Sequence, residues 1–90
     1  MNSYLAAAVQ MNSTPDLDAN LAQAKDLVAE AAGLHASLIA LPENFSFLGP
    51  EKEKVDRGEE VARRSLEFLI SSARQHGAVI LGGSFPAPAT

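Results

Sequence analysis

Apolar positions along the chain follow two periods. Residues 4–11, YLAAAVQM, are almost wholly apolar between polar flanks, which predicts a short strand buried on both faces. From Leu17 to Gly33 the apolar residues step by three and four instead, through Leu17, Leu21, Ala24, Val28 and Ala31, while Lys25, Asp26 and Glu30 fall off that stripe. This spacing predicts an amphipathic helix. Its N-cap falls on Thr14, Asp16 or Asp18, around Pro15. Gly33 followed by Leu34 predicts a left-handed ending, with Leu34 folded back on the last turn. Ser37 to Leu41 reads as a second strand, stopped by Pro42, which has no N–H for a ladder.

Residues 43–57 read as a long connection, with the charged run EKEK at 51–54 as its solvated surface. A second helix is expected from about Gly58 to His76. Asp56 and Glu59 resemble a capping box with Asp in place of Ser or Thr. Ala62, Leu66, Leu69 and Ala73 form the stripe of this helix, Phe68 and Ile70 widen it, and Gly77 ends it. Ala78 to Gly82, AVILG, is the third strand.

Strand–helix–strand–helix–strand is the order of an α/β fold, in which strands joined through helices run parallel with right-handed crossovers. Strand 3 is apolar at Val79 and Leu81 on one face and at Ala78 and Ile80 on the other. Strand 1 divides in the same way into Leu5, Ala7 and Val9 against Ala6 and Ala8. A sheet apolar on both faces needs cover on both, and two helices on one side leave the other bare.

Composition narrows the function. Eleven acidic side chains oppose seven basic ones, for a net charge of −4, and no Lys/Arg cluster offers itself to phosphates, which argues against nucleic acid. With 0 cysteines the chain has no disulfide scaffold and no thiolate zinc site. Its apolar runs are strand-sized, too short to span a bilayer, and the opening MNSYLAAAVQM lacks the basic and long apolar regions of a signal peptide, so a cytoplasmic protein is expected. The closing SFPAPAT reads as loop chemistry, the mark of a domain that continues.

Ligands of parallel sheets collect beyond the carboxyl ends of the strands. Three stretches lie there: Gln10–Asn12, Pro42–Phe47 and Gly82-Gly83-Ser84. Glu43 is the one acid beside any of these ends. A carboxylate next to apolar groups such as Phe45 and Phe47 loses hydration, its pKa rises, and it becomes a general base. The bland alternatives are a solvated or capping glutamate and phenylalanines that simply fill the core. Gly82-Gly83-Ser84 lacks the spacing of a phosphate loop and reads as a turn. His35 and His76 sit at or just past helix C-termini, where a partly charged imidazole is favourable, and no acid/His cluster has ligand spacing, so neither metal nor cofactor is implied. Serines 13, 46, 71, 72 and 84 have no nucleophile-elbow context.

The AAAVQM strand, the STPD helix start, LPENF after strand 2 and the run into GGSFP together resemble the N-terminal portion of the nitrilase superfamily, the carbon–nitrogen hydrolases. The most specific piece is Leu41-Pro42-Glu43-Asn44-Phe45. STPD and the F-x-F after the glutamate are closer to the omega-amidase and deaminated-glutathione amidase kind than to true nitrilases. The resemblance implies that residues 1–90 are the N-terminal fragment of a single hydrolase domain with a four-layer α–β–β–α sandwich, incomplete in this chain. It implies a Glu–Lys–Cys mechanism through an acyl-thioester on small amides before nitriles, with Glu43 as the glutamate, and a homo-oligomer at full length. The chain departs from that pattern in having no cysteine, and Lys25, Lys52 and Lys54 do not follow a strand as the family's lysine does. Alone, it is expected to be inactive. The alternatives are a non-catalytic α/β binding module and the glutaminase part of an ammonia-dependent synthetase.

Overall fold

The computed structural model describes residues 5–83, so Tyr4, Ser84 and the tail 85–90 lie outside the described residues. The expected order is present: β1 (Leu5–Ala8), α1 (Leu17–Gly33), β2 (Ala36–Ala40), α2 (Glu51–His76) and β3 (Val79–Leu81). The strands form a parallel three-stranded sheet in the order β1-β2-β3. β1 and β3 are shorter than their apolar runs and β2 begins one residue earlier than expected, while the ladder continues past the ends through Val9 N–H to the Ala40 carbonyl at 2.9 Å and Leu41 N–H to the Leu81 carbonyl at 2.8 Å. Among the described residues no helix is long and apolar enough to cross a membrane.

Two crossovers of one hand that step in one direction place both helices on the same side of a sheet. The packing agrees: α1 lies on β2, α2 on β3, and the helices touch each other. On that side Ile39 is fully buried, flanked in register by Ala7 and Ile80. The register slips between Leu5 and Ala6, leaving Ser37 as an extra residue, so that Ala36 and Ile39 both reach the helix side although they are three apart. The opposite face consists of the rows Ala6–Leu38–Val79 and Ala8–Ala40–Leu81. Val79 and Leu81 are 58% and 51% exposed there, so the expected bare apolar face exists.

Helix α1 buries all five residues of its expected stripe, Leu17, Leu21, Ala24, Val28 and Ala31. Asp16, of the three candidates, is its N-cap and accepts the Ala19 N–H at 3.0 Å, a contribution of about 1 kcal/mol. Its C-terminus differs from expectation. Gly33 is still helical, and His35 takes the left-handed backbone at φ 67, with its N–H on the Ala32 carbonyl. Leu34 is 65% exposed, and Ala36 goes into the core in its place. The left-handed residue is two positions later than the glycine suggested, because the chain must bring Ala36 under α1.

Helix α2 departs further. It starts at Glu51, so EKEK is its first turn and not a loop, and Asp56 and Glu59 lie inside the helix where they cap nothing. Pro50 occupies the N-cap without a side-chain hydrogen bond. Glu51 and Glu53 at the start and Arg74 and His76 at the end complement the helix dipole. Periodicity missed these turns because Val55, their one apolar residue, is 73% exposed. The buried face also lies beside the expected one. Gly58, Val61, Ser65 and Ser72 are buried, whereas Leu66 and Ile70 are 52% and 51% exposed. Glycine and serines give α2 a shallow surface on which α1 and the sheet can approach. Gly77 ends the helix in the left-handed conformation, as expected. The Arg64–Asp18 ion pair that bridges the helices at 2.8 Å is exposed on the Asp18 side and contributes about 0–1 kcal/mol.

Candidate functional site

The described parts of the three strand-end stretches, 9–12, 42–47 and 82–83, converge. Leu41, just past β2, is the last residue on this segment to donate into the sheet, Pro42 cannot donate, and Glu43 follows at the end of the central strand. Gly83, after β3, is pressed against this turn. A Cβ at Gly83 would lie 2.6 Å from the Glu43 nitrogen and closer still to the Pro42 carbonyl, nearer than real Cβ atoms approach. The second glycine is therefore a close-approach residue that lets β3 run past the glutamate. On the other side, residues 9–12 after β1, with Gln23, Leu27 and Pro42, line an open cleft of about 620 Å³. A separate apolar groove of about 360 Å³ runs along β1 from Leu5 to Gln10, beside Leu27 and Leu34.

Asn44 holds the left-handed backbone at φ 55, a conformation that Asn tolerates better than most residues. It separates two environments. Glu43 before it is exposed, while Phe45, Ser46 and Phe47 after it are fully buried. Phe45 meets Phe68 of α2 at a ring separation of 6.0 Å, and the Arg57 guanidinium lies 5.5 Å over the Phe47 ring. The phenylalanines thus belong to the core. They do not desolvate Glu43, and the poorly hydrated cleft expected around that carboxylate is not built by the described residues.

Sequence reasoning missed what holds this turn. Asn20 is 2% exposed. Its Nδ2 donates to the Thr14 carbonyl at 2.7 Å and the Ser46 carbonyl at 2.8 Å, and its Oδ1 accepts the Thr14 N–H at 3.0 Å. Ser65 of α2 donates to the Ser46 hydroxyl at 2.7 Å, and Ser13 Oγ donates to the Phe45 carbonyl at 3.0 Å. Leu48 N–H adds a bond to the Thr14 carbonyl at 3.1 Å. A signal was present: Asn20 sits three residues after Leu17 and four before Ala24, a polar residue on an apolar stripe, and Ser65 stands likewise between Val61 and Phe68. Ser46 and Ser65 are buried against each other, which leaves neither available as a nucleophile.

The sequence matches the family described as Carbon-nitrogen hydrolase over residues 5–89. The chain belongs to that family. Among the relatives of this carbon–nitrogen hydrolase chain is a deaminated glutathione amidase of Synechocystis sp., 44% identical over 88 residues that make up 98% of this chain and 32% of the relative. The deaminated glutathione amidase of Bos taurus is 37% identical over 82 residues, 90% of this chain and 25% of the relative. The omega-amidase NIT2 of Danio rerio is 31% identical over 86 residues, 96% of this chain and 31% of the relative. The chain spans about a third or less of the length of these curated relatives. No solved structure matches it significantly. The resemblance carried by LPENF and STPD is met at the level of the carbon–nitrogen hydrolase family, and these relatives are named for amides and not for nitriles.

The fit of Gly83 gives a direct test. Gly83→Ala forces backbone against backbone, and overpacking of this kind costs about 1–3 kcal/mol. Gly82→Ala meets only the flexible Leu69 side chain, 2.7 Å away at its Cδ1, and should cost clearly less. Paired urea melts of the two variants check the difference.

Proposed function

We propose that the protein to which this chain belongs hydrolyses carbon–nitrogen bonds of small amides by a Glu–Lys–Cys thiol mechanism, with Glu43 as the general base. The observation that carries this reading is the position of Glu43, at the carboxyl end of the central strand and between the ends of β1 and β3, on a turn anchored from three sides. Glu43 takes the proton of a cysteine thiol. The thiolate attacks the amide carbon, and a lysine ammonium balances the oxyanion of the tetrahedral intermediate. The intermediate collapses as Glu43 returns the proton to the leaving nitrogen, so that ammonia or an amine departs and a thioester remains. Glu43 then deprotonates the water that attacks the thioester, which releases the carboxylic acid and restores the thiol.

The cysteine and the lysine of this scheme come from outside these residues. The chain contains 0 cysteines, and Lys25, Lys52 and Lys54 lie on α1 and the first turn of α2, away from the strand ends. The 90 residues alone are therefore inactive in this reading. The bare face formed by Leu38, Val79 and Leu81 is where the second sheet of an α–β–β–α sandwich would pack, and that layer would also enclose Glu43. The names of the relatives suggest the substrates to try. The full-length protein, offered deaminated glutathione and a panel of small ω-amides, is expected to release carboxylate from at least one of them. A folded full-length protein that hydrolyses no amide would support a binding module instead.

A further inference from the structure

We infer that Asn20, acting with the Ser46–Ser65 pair, is a positioning residue that fixes the turn carrying Glu43; its catalytic consequence rests on the function proposed above. Glu43 lies just beyond β2, and its side chain is exposed. Its backbone is held at both ends. On the N-terminal side, Leu41 closes the ladder to Leu81 and Gly83 abuts the Glu43 nitrogen. On the C-terminal side, the left-handed Asn44 reverses the chain, and Ser46, two residues later, is gripped through its carbonyl by Asn20 at 2.8 Å and through its hydroxyl by Ser65 at 2.7 Å. One grip comes from α1 and the other from α2, so the turn is referenced to both helices at once.

Asn20 also ties Thr14, on the connection after β1, into the same unit through three of its hydrogen bonds. The chain segments that follow β1 and β2 are thereby locked to each other. An apolar residue at position 20 would suit the α1 stripe equally well for burial. What the carboxamide adds is direction, because a satisfied buried polar network admits one arrangement where apolar packing admits several. Displacing a reacting group by about 1 Å can cost on the order of 10²-fold in rate.

The test uses the full-length protein with Asn20→Asp, which keeps the size and the acceptor for Thr14 N–H but loses both donated bonds, and with Ser65→Ala. For Asn20→Asp we expect kcat to fall about 10–100-fold with KM within about 3-fold, measured well below the melting temperature. Hydrogen exchange at the amides of residues 45–48 should quicken about 10-fold or more while the centre of α1 stays protected. Ser65→Ala should show the same pattern more weakly. Lower thermal stability with unchanged kcat and unchanged exchange at residues 45–48 would make Asn20 a purely structural residue and overturn the inference. Should Glu43→Gln retain full activity, the proposed role of Glu43 fails, and exchange at residues 45–48 still decides whether Asn20 sets this turn.

Discussion

Replacing Glu43 by Gln in the full-length protein is expected to lower kcat for amide hydrolysis by about 10³-fold, within the 10²–10⁴ range of a general base. The carboxamide has nearly the size of the carboxylate but cannot accept a proton from a thiol or from water. The turn around it should survive, since Gly83, Asn44, Asn20 and Ser65 hold it and the side chain itself is exposed. Stability should therefore change by much less than the roughly 3–5 kcal/mol of a core truncation. A melting curve that matches the parent, together with a burst-free loss of turnover, would locate the defect in chemistry. Activity within tenfold of the parent would remove Glu43 from the mechanism.

Phe45→Ala should produce the largest loss of stability. The ring is 0% exposed and packs against Phe68 across the junction between the turn and α2. Truncations of this type cost about 3–5 kcal/mol through lost burial and the cavity left behind. That is a large share of the roughly 5–15 kcal/mol by which a domain is stable. Phe45→Leu refills most of the volume and should cost much less. Urea unfolding of the two variants provides the comparison. Equal midpoints for the Ala and Leu variants would mean that the ring is not the anchor of the turn.

These two residues stand two positions apart in sequence and are opposites in environment, which shows how a short motif was only half legible. LPENF marked both the end of a strand and an acid at that end, and both are present. The aromatics beside the acid suggested a dry site. Their rings instead serve the helix-facing core, because the left-handed Asn44 turns the chain between Glu43 and Phe45. Backbone handedness at a non-glycine residue leaves no mark in a hydrophobic pattern. The EKEK run failed for a related reason: a solvated helical turn has no apolar stripe, and its charges look like those of a loop.

The element order, the α1 stripe and the two-faced apolar sheet could be read from the chain alone, because a helix or strand that buries one side must repeat its apolar residues at that element's own period. Which face α2 turned inward could not, because Ser65 and Ser72 count as polar until a partner or close packing is found for them. The clamp of Asn20 on Ser46 and the contact of Gly83 with the Glu43 turn belong to the same class. They join residues 26 and 40 positions apart, and contacts over such separations exist only once helices and sheet have packed.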